Sequence, residues 1–167
     1  MNVRSATPDD AAAITEVDVM SWRAAYRGLM PDAYLDALSV EEKAAQWARS
    51  LARERPRNKR TLVAEDEDAL VGYATIGPDG ESGSGLLYLM YVTPAYWRRG
   101  VGSALMAPTC DAFRQDGYRM AVLWVLRRNE RARAFYERAC WQIDDAATQI
   151  NDYGGTKLTA VRYTLAL

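Results

Sequence analysis

The chain has 167 residues, 21 basic against 22 acidic side chains for a formal net charge of −1, and no histidine. That length suits one packed domain spanning residues 1–167, and the near balance of charge argues against a nucleic-acid or acidic-membrane partner, so any anion site has to be local. The lack of histidine excludes Ser-His-Asp and Cys-His catalysis and removes the commonest nitrogen ligand of zinc; no metal is expected. In chain order, "NVRSA" reads as a short strand, and Thr7-Pro8-Asp9-Asp10 supplies an N-cap, a proline at the first helical position and acids in the first turn of a helix running to about Tyr26. "RGLMP" ends it, and Ser39-x-x-Glu42 is a capping box opening another helix to about Arg53. The basic run "RERPRNKR", Arg53 to Arg60, reads as a solvated loop without an assigned role. From Arg60 the period falls to two. "RTLVAED", a turn at Asp66-Glu67-Asp68 and "ALVGYATIG" predict an antiparallel hairpin, followed by a loop in "GPDGESGSG".

"LLYLMYV" is nearly all apolar, as expected of a central strand covered on both faces. Val101, Ala104, Leu105 and Ala112 fall on one side of the helix that follows, which Pro108 is expected to kink or shorten. "MAVLWVL" predicts another buried strand; Asn129 caps a last helix whose Ala132, Phe135, Tyr136 and Ala139 share a side; and "LTAVRYTLAL" closes the chain as a strand. Cys110 and Cys140 make no disulfide framework, the first residues lack a signal peptide's apolar core, and no apolar run approaches the roughly 20 residues that span a bilayer, so a cytoplasmic protein is expected.

The chemistry concentrates at "YVTPAYWRRGVGSAL", where a strand end, two arginines and Gly-x-Gly meet a helix start. The first amides of a helix have no intrahelical partners, and the aligned peptide dipoles place partial positive charge there. Gly100 and Gly102 remove the Cβ atoms that would hold a phosphate away, so the turn reads as a pyrophosphate cradle. A Walker loop is excluded, because neither its lysine nor its longer glycine spacing is present. A dinucleotide fingerprint needs a third glycine where Leu105 stands.

"YVTPAYWRRGVGSAL" followed by "LWVLRRNERARAFYERACW" resembles the GNAT superfamily of acyl-CoA-dependent N-acetyltransferases, and "SWRAAYRGLMPDAYLDAL" looks like the substrate-side helices of many bacterial members. The resemblance implies an α/β fold: a mixed, mostly antiparallel sheet of six or seven strands, flanked by about four helices, with the ligand in a gap between two central strands. It implies acetyl-CoA as cosubstrate and an amine of a small molecule or peptide as acceptor, with no nucleic-acid or membrane partner; the acceptor's identity and a homodimeric state are left open. By position, backbone amides of Arg98, Arg99, Gly100, Val101, Gly102 and Ser103 would cradle the pyrophosphate. Met90, Tyr91 and Val92 would bond the pantetheine arm and polarise the thioester. Asn129 and Tyr136 match the asparagine and tyrosine of the last helix.

Three positions depart from the family's pattern. Trp97 stands where the motif has Arg or Gln, a change expected to matter little if backbone amides do the binding. Cys140 replaces a glycine, so the helix end there is expected to differ, because a cysteine tolerates left-handed geometry poorly. Leu86 takes the place of a glutamate that many relatives use as base, which leaves the route for the amine's proton open. A primary amine of pKa about 10 must lose a proton before attack and a departing thiolate of pKa about 8.5 must gain one; Tyr136 is the candidate general acid. Trp22 and Tyr26, four apart on the first helix, are candidate acceptor contacts. The rival readings are an acyl-CoA-binding sensor that catalyses nothing and a phosphate cradle for another nucleotide.

Overall fold

The computed structural model describes residues 1–53, 59–67, 69–80 and 82–167. Asp68 of the expected turn, Glu81 of the expected loop and most of the Arg53–Arg60 run lie outside them. Seven strands form one sheet: β1 (Asn2–Ser5), β2 (Arg60–Asp66), β3 (Ala69–Pro78), β4 (Gly85–Val92), β5 (Met120–Leu126), β6 (Gln142–Tyr153) and β7 (Thr156–Ala166). Their order is β1-β2-β3-β4-β5-β7-β6, and every pairing is antiparallel except β4 with β5. The helices are α1 (Ala11–Ala25), α2 (Asp32–Asp36), α3 (Val40–Ala52), α4 (Val101–Gln115) and α5 (Glu130–Arg138), and all but the five-residue α2 have at least nine residues. The expected mixed α/β fold is the fold found.

Alternation in the strands divides the core between the two faces. Leu62, Ala64, Val71 and Ala74 pack with Val101, Leu105 and Phe113 of α4, whereas Val63 and Tyr73 pack with Ile14 and Val17 of α1 and Trp47 of α3. The hinge between β1 and α1 is fixed by charge. The Arg4 guanidinium forks onto both oxygens of Asp10 at 2.8 Å, and with the Thr7 N–H donating at 2.7 Å it holds that carboxyl down at about 2. The Ser39 hydroxyl accepts from the Glu42 N–H at 3.1 Å, the N-cap half of the expected capping box.

Three expectations are corrected. Pro108 does not end α4, which runs on to Gln115. Cys140 takes left-handed geometry after all, with φ of 66°. Its N–H donates to the Glu137 carbonyl at 3.1 Å and the Trp141 N–H to the Tyr136 carbonyl at 3.0 Å, a Schellman closure with cysteine in the glycine position. Finally β4 is not covered throughout, since Tyr88 is 40% exposed. β6 was not anticipated at all.

The feature that makes room for a ligand is the parting of β4 from β5. They pair only through Gly85, Leu86 and Leu87 with Ala121, Val122 and Leu123. On the other side of β4 the register to β3 slips between Thr75 and Ile76, which pair with Leu89 and Leu87, so Tyr88 is the extra residue of a bulge. A bulge bends and twists its strand, and this one sits where the pairing to β5 stops. A Cβ on Gly85 would lie 2.3 Å from the Phe113 ring, so glycine there lets α4 lie across the closed end of the gap.

Candidate active site

A cavity of about 680 Å³ opens where β4 and β5 diverge. Register decides which backbone groups face it. The Thr93 N–H donates to the Val71 carbonyl at 2.9 Å, and Tyr91 pairs with Tyr73, so Tyr91 spends its backbone groups on β3 while those of Met90 and Val92 turn toward the gap. On the far side, the Arg127 N–H donates to the Thr159 carbonyl at 2.9 Å and Val125 pairs with Val161, leaving the backbone groups of Trp124 and Leu126 toward the gap. Part of this edge is already occupied. The Val92 carbonyl accepts from the Ser21 hydroxyl at 3.0 Å and from the Trp97 indole N–H at 2.7 Å. Trp97 therefore anchors the loop to the end of β4, and its ring carries the Arg131 guanidinium 3.2 Å from the centroid, contacts that the sequence motif did not reveal.

The glycine turn sits at one end of the cavity. Its first helical hydrogen bond runs from the Ala104 N–H to the Gly100 carbonyl at 2.9 Å, so the amides of Val101, Gly102 and Ser103 have no partner within α4. Arg98 and Gly100 both have positive φ, 63° and 85°. A Cβ on Gly100 would meet nothing within 4 Å, whereas one on Gly102 would lie 3.0 Å from the Phe135 ring. Conformation requires the first glycine and packing of α4 on α5 the second. Arg99 is the one cradle residue that the structure turns away. It does not line the cavity, its N–H donates to the Tyr96 carbonyl at 3.3 Å and its guanidinium lies over the Tyr96 ring.

Tyr136 lines the cavity from α5 while its ring packs against Phe135, Trp141 and Tyr163 at centroid distances of 5.3, 6.1 and 6.3 Å. Burial raises the pKa of its hydroxyl, which therefore stays a proton donor. Asn129 caps α5 through its side-chain oxygen, which accepts from the Ala132 N–H at 3.2 Å and leaves the amide nitrogen for the cavity it lines.

At the opposite end Trp22 and Tyr26 of α1 also face the cavity, with the Tyr26 and Tyr91 hydroxyls 3.1 Å apart. Trp124, Gln149, Asn151 and Tyr153 complete this wall and were missed by sequence reasoning, three of them because β6 was. One signal pointed to β6: Gly154-Gly155, both with positive φ, is the two-residue hairpin turn that joins β6 to β7. Leu86 does not line the cavity, and no lining residue among those described is an aspartate or glutamate.

Residues 18–140, which carry the glycine turn, α5 and the cavity's central strands, match the acetyltransferase (GNAT) family. The chain belongs to the GNAT family. A relative, the uncharacterized N-acetyltransferase YuaI of Bacillus subtilis, is 34% identical over 134 residues, 77% of this chain and 73% of that protein. The fold is shared with the PaiA N-acetyltransferase of Thermoplasma acidophilum in complex with coenzyme A, at a TM-score of 0.75, 18% identity and coverage of 99% and 98% of the two chains. It is shared too with YncA, a putative acetyltransferase from Salmonella typhimurium with its cofactor acetyl-CoA, at a TM-score of 0.71, 22% identity and coverage of 99% and 92%.

Proposed function

We propose that residues 1–167 form an N-acetyltransferase domain that moves an acetyl group from acetyl-CoA to an amine by direct attack in a ternary complex. The observation that carries this reading is the cavity between β4 and β5, which runs from the unpaired amides of α4 to the buried hydroxyl of Tyr136. The amides of Val101, Gly102 and Ser103, with the positive end of the α4 dipole and the Arg98 and Arg131 side chains, suit a pyrophosphate. Met90 and Asn129 offer backbone and side-chain amide groups to the pantetheine arm. As the carbon–sulfur bond breaks, Tyr136 gives its proton to the sulfur and is reprotonated from water. Water carries away the amine's proton, since none of the described residues in the cavity wall is a carboxylate. Direct transfer is favoured because neither Cys110, buried with a raised pKa, nor the exposed Cys140 lines the cavity.

The test removes one oxygen. Tyr136→Phe keeps the packed ring, so kcat is expected to fall about 10²–10⁴-fold while the Kd for acetyl-CoA by calorimetry shifts only a few-fold. An unchanged kcat with a good acceptor would reduce Tyr136 to a core aromatic. A wall without carboxylates among its described residues favours one second reading, a binding module that holds acyl-CoA without catalysis. It takes over if acetyl-CoA binds tightly and no amine in a broad panel releases free thiol.

A further inference from the structure

The end of the cavity away from the glycine turn has its own chemistry, and nothing above assigns its occupant. Trp22 stands in edge contact with Tyr26 at 5.0 Å and Tyr153 at 6.1 Å, and lies 6.3 Å from Tyr91. Trp124 and Asn151 close the wall from β5 and β6. The charges that line the cavity, among the described residues, are all positive: Arg98, Arg131 and Arg138. The carboxylate buried behind the tyrosines is Asp18, and both its oxygens are engaged, one by the Tyr73 hydroxyl at 2.9 Å and the other by the Lys43 ammonium at 2.7 Å. It does not reach the cavity surface.

Two consequences follow for an amine that enters. Each ammonium it carries loses water without gaining a carboxylate from the described wall, so the cost grows with every added positive charge. A ring, by contrast, finds edge and face partners on several sides. The same lack of a counter-charge lowers the pKa of a buried ammonium, which favours the free base that attack requires. A site built this way needs no glutamate at the position of Leu86.

We propose that the acceptor is an aromatic primary monoamine, an aryl or arylalkyl group bearing one amine, and that polycationic amines are rejected. The proposal rests on the acetyl-transfer reading. The amine nitrogen bonds to the acetyl carbon as the carbon–sulfur bond breaks; the nitrogen's proton leaves to water, and the sulfur takes the Tyr136 proton.

The experiment measures thiol release from acetyl-CoA by the full chain with 2-phenylethylamine, n-butylamine and spermidine, alongside calorimetry of acetyl-CoA binding. The expected order of kcat/KM is phenylethylamine first, with spermidine at least 100-fold lower. Asn151→Asp, which puts a carboxylate into the wall, is expected to narrow that ratio at least tenfold by raising the spermidine rate; Gln149→Glu on the same strand serves if the first variant does not fold. Spermidine or butylamine matching phenylethylamine overturns the proposal and leaves acetyl transfer standing. Tight acetyl-CoA binding without thiol release for any of the three overturns the proposal, and acetyl transfer falls with it only if a broad amine panel is silent as well.

Discussion

At the scale of single residues, the two glycines of the turn do different work, although their spacing suggests one role. Gly100 has φ of 85° and open space around its missing Cβ, so a side chain there would strain the backbone and then obstruct only what enters the cavity. Gly102 is held by contact, with the Phe135 ring 3.0 Å from where a Cβ would be. Gly100→Val is therefore the informative variant: it should stay folded and raise the Kd for CoA at least about tenfold, read by calorimetry. Unchanged affinity in the folded variant would remove the pyrophosphate assignment. Gly102→Val tests helix packing as much as binding, and its effect on CoA alone decides little. The cradle was legible because its residues are neighbours in sequence. Arg99 escaped that logic, since a turn's geometry aims alternate groups in different directions and spacing does not say which.

At the scale of elements, capping chemistry transferred well from sequence to structure. Ser39 and Asn129 both cap the helices they were expected to open, because a cap depends on residues three positions apart. The end of α5 is different. Cys140 sits at φ of 66°, where a side chain costs about 1–2 kcal/mol, partly offset in glycine by its greater freedom when unfolded. Cys140→Gly is expected to stabilise the fold by about 0.5–1 kcal/mol, seen as a rise in Tm of about 1–3 °C. A lower Tm would mean that the thiol makes a contact worth more than the strain. Two further elements depend on partners distant in sequence, and neither could be read locally. The bulge at Tyr88 exists only in the register of β4 against β3. β6 has no apolar alternation because it is an edge strand, and most of its residues are exposed or half-buried. The acceptor wall inherits that difficulty, since Gln149, Asn151 and Tyr153 reach the cavity only through β6.

At the scale of the whole molecule, the sheet is joined across its centre by three residue pairs between β4 and β5, and beyond them no strand pairing crosses the gap, so the two halves of the sheet are held together there by side-chain packing and by whatever fills the cavity. A ligand that fills the gap should therefore stabilise the fold by mass action. At 100 times its Kd, CoA is expected to add about 2.7 kcal/mol, a rise in Tm of about 5–10 °C for a chain of this size. Scanning fluorimetry with CoA, ATP and NAD at equal concentration checks both the effect and its owner. An equal shift with ATP or NAD would assign the cradle to another nucleotide. The sheet's outer strands carry a separate consequence. β1 is only four residues long, and β6 slips register between Asp144 and Thr148, where three extra residues interrupt its pairing with β7. A short edge and a broken, acid-bearing edge both offer poor templates to the strand of another molecule. A seven-stranded sheet open at both ends is in this way guarded against edge-to-edge growth, and one of its guards, β6, is the strand whose Gln149, Asn151 and Tyr153 line the cavity.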